Sequence, residues 1–394
     1  MALHFSLCLL LLENKIEKMK LSISSAFDAG NIEVINTNSP KDIQLKIRKD
    51  SNSDFLQWFY FRMDGAKEQS CKLNLLNAGE AAYPEGWENY QARASYDRET
   101  WFQIPTKYEG GVLSMEFTPE YDSVYIAYFA PFSYERHLDL VNNAQLSSIC
   151  TLESVGQTTQ GRPIDFLQIG NGDASKKKLW VIARQHPGET MAEWFMLGLI
   201  SRLLDEEDSA SVSLLKEANL YLVPNMNVDG SILGNLRVNA KGVNLNREWA
   251  NPSIENSPEV YYVKEKMKEI GMDFSLDVHG DEGLPYVFLS GIEGIPSFDQ
   301  KLSELTTSFM ETWKTISPDM QDEYGYPKND PGTANLMICS KNLGEEFHCL
   351  SQTLEMPFKQ NDNIPDSIVG WSAERSIKLG ESLVSTLLRI VADL

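Results

Sequence analysis

From about residue 22 to residue 131 the chain alternates apolar and polar residues in short runs. Asn31 to Asn36, Asp42 to Ile47, Gln57 to Arg62, Val112 to Phe117 and Val124 to Phe129 all follow a period of two. Asp64-Gly65 and Gly110-Gly111 stand between such runs as turn signals. Side chains alternate across a strand, so this period marks half-buried strands. Many of them in succession, with no helical stretch between, predict an antiparallel β-sandwich.

After about Leu138 the pattern changes. Leu179 to Ala183 is a continuous apolar run, as expected of a strand buried on both faces. Leu220 to Val223 and Phe274 to Val278 are further candidates for buried strands, and Tyr286 to Leu289 and Thr353 to Met356 are weaker ones. Helical spacing is expected near 191–204, 258–270, 298–315 and 372–393. Strands alternating with helices predict a layered α/β domain. The two patterns meet at 138–148, in the polar stretch around Asn142 and Asn143. The expected division is an N-terminal extension over 1–21, a β-sandwich over 22–140 and an α/β domain over 141–394.

The length of 394 residues allows two domains, and 23% charged with 42% hydrophobic residues excludes disorder and collagen-like repeats. Acids outnumber bases 56 to 35, giving a net charge of -21. That balance argues against a nucleic-acid partner, whose phosphates need neutralising. The five cysteines show no zinc-ligand spacing and no disulfide framework, which fits a reducing, cytoplasmic setting. Phe5 to Leu12 is apolar, but no basic residue precedes it and no small-residue cleavage site follows. It is also far short of the roughly 20 residues that span a bilayer, so no membrane partner is expected.

Chemistry concentrates after the apolar strands. His186 and Glu189 are separated by a Pro-Gly turn directly after Leu179–Ala183. The carboxyl ends of strands in open α/β sheets are where sites gather. An imidazole and a carboxylate suit zinc, though such a pair alone is a weak signal. His279 ends a second apolar strand in the same manner. Singly it reads as a core histidine; two histidines placed alike, among five in the chain, favour a shared ligand role. Asn246 and Arg247 stand together, and an arginine fork matches a carboxylate in two parallel bonds. The plainer reading of Arg247 is a surface ion pair beside Glu248. Glu355 lies inside an apolar strand, where a carboxylate is costly unless partnered. It is either paired structurally or kept as a base.

The order His-Pro-Gly-Glu (186–189), Asn-x-Asp-Gly (227–230), Arg237, Asn-Arg-x-Trp (246–249), Asp-x-His-Gly (277–280) and Leu-Glu (354–355) resembles the zinc metallocarboxypeptidases. Gln57 to Arg62 and Pro131 to His137, in and beside the expected sandwich, resemble the cytosolic carboxypeptidase branch. The resemblance runs from about Ser22 to the carboxyl end. It implies a carboxypeptidase-like α/β/α catalytic domain with a mixed sheet, preceded by the sandwich. It implies one Zn2+ per chain on His186, Glu189 and His279, a ligand set already known from carboxypeptidase A. It makes Glu355 the general base, Arg237 the stabiliser of the developing oxyanion, and Asn246 and Arg247 the clamp on the substrate's terminal carboxylate. The substrate is then the carboxyl end of a peptide or protein. Acidic terminal residues are expected, because the cytosolic branch acts on glutamate, and Lys359 is a candidate for their pocket. The alternatives are a zinc amidohydrolase acting on N-acyl amino acids and a non-catalytic peptide binder on the same scaffold.

The chain departs from the family at Asn244, where many relatives carry an aspartate that orients a zinc-binding histidine. An asparagine carbonyl still accepts from an imidazole N–H, but supplies no charge. Tyr324 and Tyr326 are candidates for a tyrosine over the substrate. Arg184 and His348 are expected to be structural, and His137 to help dock the two domains.

Overall fold

The computed structural model describes residues 21–394. The apolar run at Phe5 to Leu12, and with it His4 and Cys8, lies outside the described residues. The first half forms two five-stranded sheets. Their strands are β1 (Ser22–Ser24), β2 (Glu33–Asn36), β3 (Ile43–Lys46), β4 (Tyr60–Asp64), β5 (Cys71–Leu75), β6 (Ala92–Ser95), β7 (Phe102–Ile104), β8 (Thr106–Glu109), β9 (Val112–Phe117) and β10 (Ser123–Ala127). One sheet runs β1-β4-β10-β6-β7 and the other β2-β3-β5-β9-β8. Alternation sets their inner faces: Leu113 and Met115 of β9 are buried, as are Ile43 and Leu45 of β3. These residues share one apolar core with Phe61, Met63 and Ile126 of the other sheet. Every pairing is antiparallel except β3 with β5, which is parallel. Gln57 to Phe59, expected in a strand, precedes β4 as irregular chain.

Helix α1 (Tyr134–Ala144) follows, capped by the Ser133 hydroxyl, which accepts from the Arg136 N–H. The polar pair Asn142-Asn143 is the exposed face of this helix. Then come β11 (Cys150–Gln157), β12 (Pro163–Ile169), β13 (Lys177–Ala183), α2 (Met191–Leu203), α3 (Ser209–Glu217), β14 (Ala218–Val223), α4 (Val228–Leu233), α5 (Pro258–Ile270), β15 (Phe274–Asp281), β16 (Phe288–Ser290), α6 (Gln300–Ile316), α7 (Cys339–Phe347), β17 (Leu350–Pro357) and α8 (Ala373–Ile390).

The second half is built on a seven-stranded mixed sheet in the order β11-β12-β14-β13-β15-β17-β16. The central strands β14, β13, β15 and β17 are mutually parallel. Antiparallel strands close both edges. Strand β13 shows why the sheet needs helices on both faces. Leu179 and Val181 point into the core shared with α2, α6 and α8. Trp180 and Ile182 point the other way, into a core with Val260 and Val263 of α5 and Leu343 of α7. The result is three layers, α/β/α. Helices α2 and α8 touch backbone to backbone. A Cβ at Gly198 would lie 2.0 Å from the Ile377 carbonyl oxygen, and one at Gly380 would lie 2.0 Å from that of Phe195. No helix among the described residues is long and apolar enough to cross a membrane.

Candidate metal centre and active site

Strand β13 has β14 on one side and β15 on the other, so the chain reverses direction of travel across the sheet at its carboxyl end. Crevices at such points hold ligands in α/β proteins. The chain leaves β13 through Arg184, whose φ of 59° places it in the left-handed region. The Arg184 guanidinium donates to Glu193 at 2.6 Å and to the Phe132 and Pro187 carbonyls, so it is structural. The turn that follows brings His186 and Glu189 to the start of α2. His279 sits within β15, directly opposite Glu355 of β17 in the register of the two strands. Side chains paired across neighbouring strands share a face, so ligand and carboxylate look into one space.

His186, Glu189 and His279 are buried, and their ligand atoms all lie within 4.8 Å of one another. The two oxygens of Glu189 are shared between the rings, 2.6 Å from Nδ1 of His186 and 2.6 Å from Nδ1 of His279. Each outer nitrogen also faces an oxygen. His186 Nε2 is 3.1 Å from Asn244 Oδ1, and His279 Nε2 is 2.9 Å from Asp277 Oδ2. A neutral imidazole carries one N–H, yet both nitrogens of both rings meet acceptors. A metal held by His186, Glu189 and His279 would resolve that mismatch and leave each Nε2–H free to donate outward. Two nitrogens and a carboxylate are a donor set that fits zinc. The rings are not equivalent. Burial and the Arg237 charge pull His186 down to about 4. Burial also opposes a charge on His279, but the Asp277 and Glu189 carboxylates outweigh it and hold His279 well above the usual range.

The cluster opens onto a cavity of about 650 Å³. Glu355, Arg237, Asn246, Arg247 and Tyr326 line it, with Tyr83 and Glu85 from the first half of the chain. The buried Glu355 Oε2 has no hydrogen-bond partner. Burial, reinforced by Glu189, Asp281 and Glu282, raises the Glu355 carboxyl well above its ordinary range. Asn246 belongs to a tight turn, Leu245–Arg247, capped by Asn244. Its Oδ1 accepts from the Cys339 N–H at 2.8 Å, tying the turn to α7. The ion-paired arginines among the described residues are Arg62, Arg136, Arg162, Arg184, Arg202 and Arg375. Arg237 and Arg247 are absent from that set, so Arg247 is not the surface partner of Glu248. Burial and Arg237 together lower the Arg247 pKa, as two like charges do when they share one desolvated space. An anion is the natural guest.

Several residues fall elsewhere. Lys359 points its ammonium at the Gly283 carbonyl, 3.2 Å away, and lies outside the cavity lining. Lys341 at the start of α7 lines the cavity instead. Tyr326 stands half-exposed at the rim and donates its hydroxyl to Asp281. Tyr324 stacks on Tyr286 with centroids 4.3 Å apart. His137 is buried between Glu193 at 2.7 Å and Asp165 at 3.0 Å, so it fastens α1 to α2 and β12. His348 pairs with Asp299 at 3.2 Å on the surface. Sequence reading overlooked Asp277 as a partner of His279, although its place two residues earlier on one strand puts both on one face. Tyr83, Glu85 and Lys341 carried no local signal.

A buried His-Glu-His cluster at the carboxyl ends of parallel strands, beside an orphaned carboxylate and two arginines without carboxylate partners, has the donor set and surroundings of a metallohydrolase site. Two family models match the chain: the zinc carboxypeptidase family over residues 134–363 and the cytosolic carboxypeptidase N-terminal domain over residues 23–129. The chain belongs to the zinc carboxypeptidase family and is a metallocarboxypeptidase, a hydrolase acting on peptides or proteins. It is similar to a metallo-carboxypeptidase from Burkholderia cenocepacia, with 47% identity, a TM-score of 0.93, and coverage of 95% of this chain and 100% of that one. A Pseudomonas aeruginosa metallo-carboxypeptidase, solved with (2-guanidinoethylmercapto)succinic acid, is 46% identical with the same TM-score of 0.93 and coverage of 94% and 99%. Cytosolic carboxypeptidase 6 of Caenorhabditis elegans is 26% identical over 86% of this chain and 79% of its own length.

Proposed function

We propose that this protein is a zinc-dependent exopeptidase that removes single residues, preferentially acidic ones, from peptide carboxyl ends. The observation that carries this reading is one cavity lined by His186 and Glu189 of the cluster, by Glu355 with its orphaned oxygen, and by two arginines without carboxylate partners. His186, Glu189 and His279 would hold the zinc. A bound zinc polarises the scissile carbonyl and lowers the pKa of water from 15.7 toward about 7. Arg247 and Asn246 hold the terminal carboxylate, which fixes the last peptide bond in the site and excludes internal bonds. Glu355 takes a proton from the attacking water at its free Oε2 and passes it to the leaving amine. Arg237 donates to the oxyanion as it forms, a contribution typically of about 2.7–4 kcal/mol. Tyr326 lines the same cavity at its rim, with its hydroxyl held by Asp281.

The acidic preference rests on Lys341. Burial depresses its pKa, so its ammonium gains from an acidic side chain. The described cysteines Cys71, Cys150, Cys339 and Cys349 are free thiols, which suits a reducing cytoplasm. The test is mass spectrometry of peptides that differ only in the last residue. Peptides ending in glutamate or aspartate are expected to lose one residue, in a reaction abolished by a chelator and restored by zinc. Preference for arginine or lysine ends overturns the acidic reading. Loss of internal bonds, or no cleavage at all, overturns the exopeptidase.

A further inference from the structure

The segment that carries Arg237 is not held by the sheet whose ligands it serves. Residues 234–242 run along the N-terminal domain, which supplies partners beside those of the catalytic half, where the Gly188 N–H donates to the Leu236 carbonyl at 2.8 Å and the Asn239 side chain donates to the Asn256 carbonyl at 2.9 Å. Asp50 is buried and accepts from three successive backbone amides: Leu236 at 2.6 Å on Oδ1, and Arg237 at 2.7 Å and Val238 at 3.2 Å on Oδ2. Asn31 donates to the Gly234 carbonyl at 2.8 Å, and Asn52 donates to the Ala240 carbonyl at 3.0 Å. Gly234 and Gly242 both have positive φ, and a Cβ on either would strike the backbone of Ala29 or Asn52 within 2.8 Å. The guanidinium is steadied in turn. Its carbon lies 5.5 Å from the Phe55 ring centroid and 5.6 Å from that of Tyr83. Tyr83 is itself clamped by Gln57, which accepts from its N–H at 2.9 Å and donates to its carbonyl at 3.0 Å.

We propose that the N-terminal domain builds the oxyanion arm of the active site, with Asp50 as the residue that positions Arg237. This rests on the role assigned above to Arg237. A guanidinium serves a developing charge only where its N–H groups already point at it, and side chains gain that order from their backbone. Three donors converge on two carboxylate oxygens at Asp50. An amide in its place turns hydrogens against at least one donor, so even the near-isosteric change should disturb the segment.

The experiment uses the full-length, zinc-loaded chain and a peptide ending in glutamate, or in whichever residue the library selects. Wild type, Asp50→Asn, Asp50→Ala, Arg237→Ala and the double variant Asp50→Ala/Arg237→Ala are compared. Asp50→Ala is expected to lower kcat roughly tenfold to a hundredfold with KM nearly unchanged and zinc content intact, since a displacement of about 1 Å can cost a hundredfold. Hydrogen exchange should quicken at Leu236 to Val238 and stay slow in β13 and β15. In the Arg237→Ala background the same change should cost little more. An unchanged kcat in the Asp50 variants overturns the proposal, as does a full additional loss on top of Arg237→Ala. Should Arg237→Ala alone keep kcat, the oxyanion role itself fails and the positioning falls with it, a result visible in the single variant. Should neither Asp50 variant fold, Asp50→Glu keeps both acceptor oxygens, shifts the amide cradle by one methylene and enters the same cycle. An unchanged kcat there overturns the proposal.

Discussion

Glu355 and the two imidazole partners give the sharpest tests at the level of single residues. Glu355→Gln keeps the shape and removes the base. We expect kcat to fall by about 10²–10⁴, the usual range for a general base, with zinc content unchanged by metal analysis. Asp277 and Asn244 play matching parts on the two rings, one charged and one neutral. Partners of this kind typically tune affinity by about 10–100-fold. Asp277→Asn should weaken zinc binding within that range, and Asn244→Asp should strengthen it, both read by competition with a chelator. Asn244 was legible in the sequence because the motif around Asn246 fixed its distance from the turn. Lys359 falls outside the cavity because it lies past the end of the strand that carries Glu355. Strand β17 ends at Pro357, and the chain turns away. The cation that does line the cavity, Lys341, arrives on a helix from elsewhere, and no local spacing announces it.

At the level of elements, two contacts hold the catalytic layers. Gly198 and Gly380 let α2 and α8 meet with no side chain between. Gly380→Ala should lower Tm by several degrees, since overpacking of this kind costs about 1–3 kcal/mol or more. His137 gives a pH signature. Burial opposes its charge, but Glu193 and Asp165 outweigh it and raise the imidazole to about 9. The native state therefore holds this proton more tightly than the unfolded chain, whose histidine titrates near 6.5. The stabilisation is complete below that value and is lost as pH rises through about 9. Denaturant titrations between these limits should show it, and His137→Gln should flatten the slope. The central strands were legible because both faces are buried and apolar residues dominate their runs. Strand β11 at the sheet edge and β12 beside it were missed because a charged residue, Glu153 or Asp165, interrupts each. Helix α1 was missed because its exposed asparagines resemble a linker.

For the molecule as a whole, the change in period along the sequence foretold two architectures, and the structure adds how they depend on one another. One apolar core includes Met63 and Ile126 from the N-terminal sheets together with Val181 and Leu276 from the catalytic sheet. Removing residues 1–137 strips that surface, so the remainder should aggregate or lose its cooperative melting transition by circular dichroism. The wall formed by Tyr83 and Glu85 was invisible in the sequence, because more than a hundred residues separate it from the histidines it faces. The charge of -21 similarly hid a cavity whose guests are met by arginines.

The amide cradle around residues 234–242 bears on how such proteins can be recombined. A chimaera that takes residues 23–129 from a distant relative inherits a foreign set of hands for its own arginine. Crossover at the domain boundary, the obvious seam for a protein engineer, cuts through a working part of the catalyst. The heritable unit is the N-terminal domain together with the Gly234 to Gly242 segment, and productive shuffling must carry both.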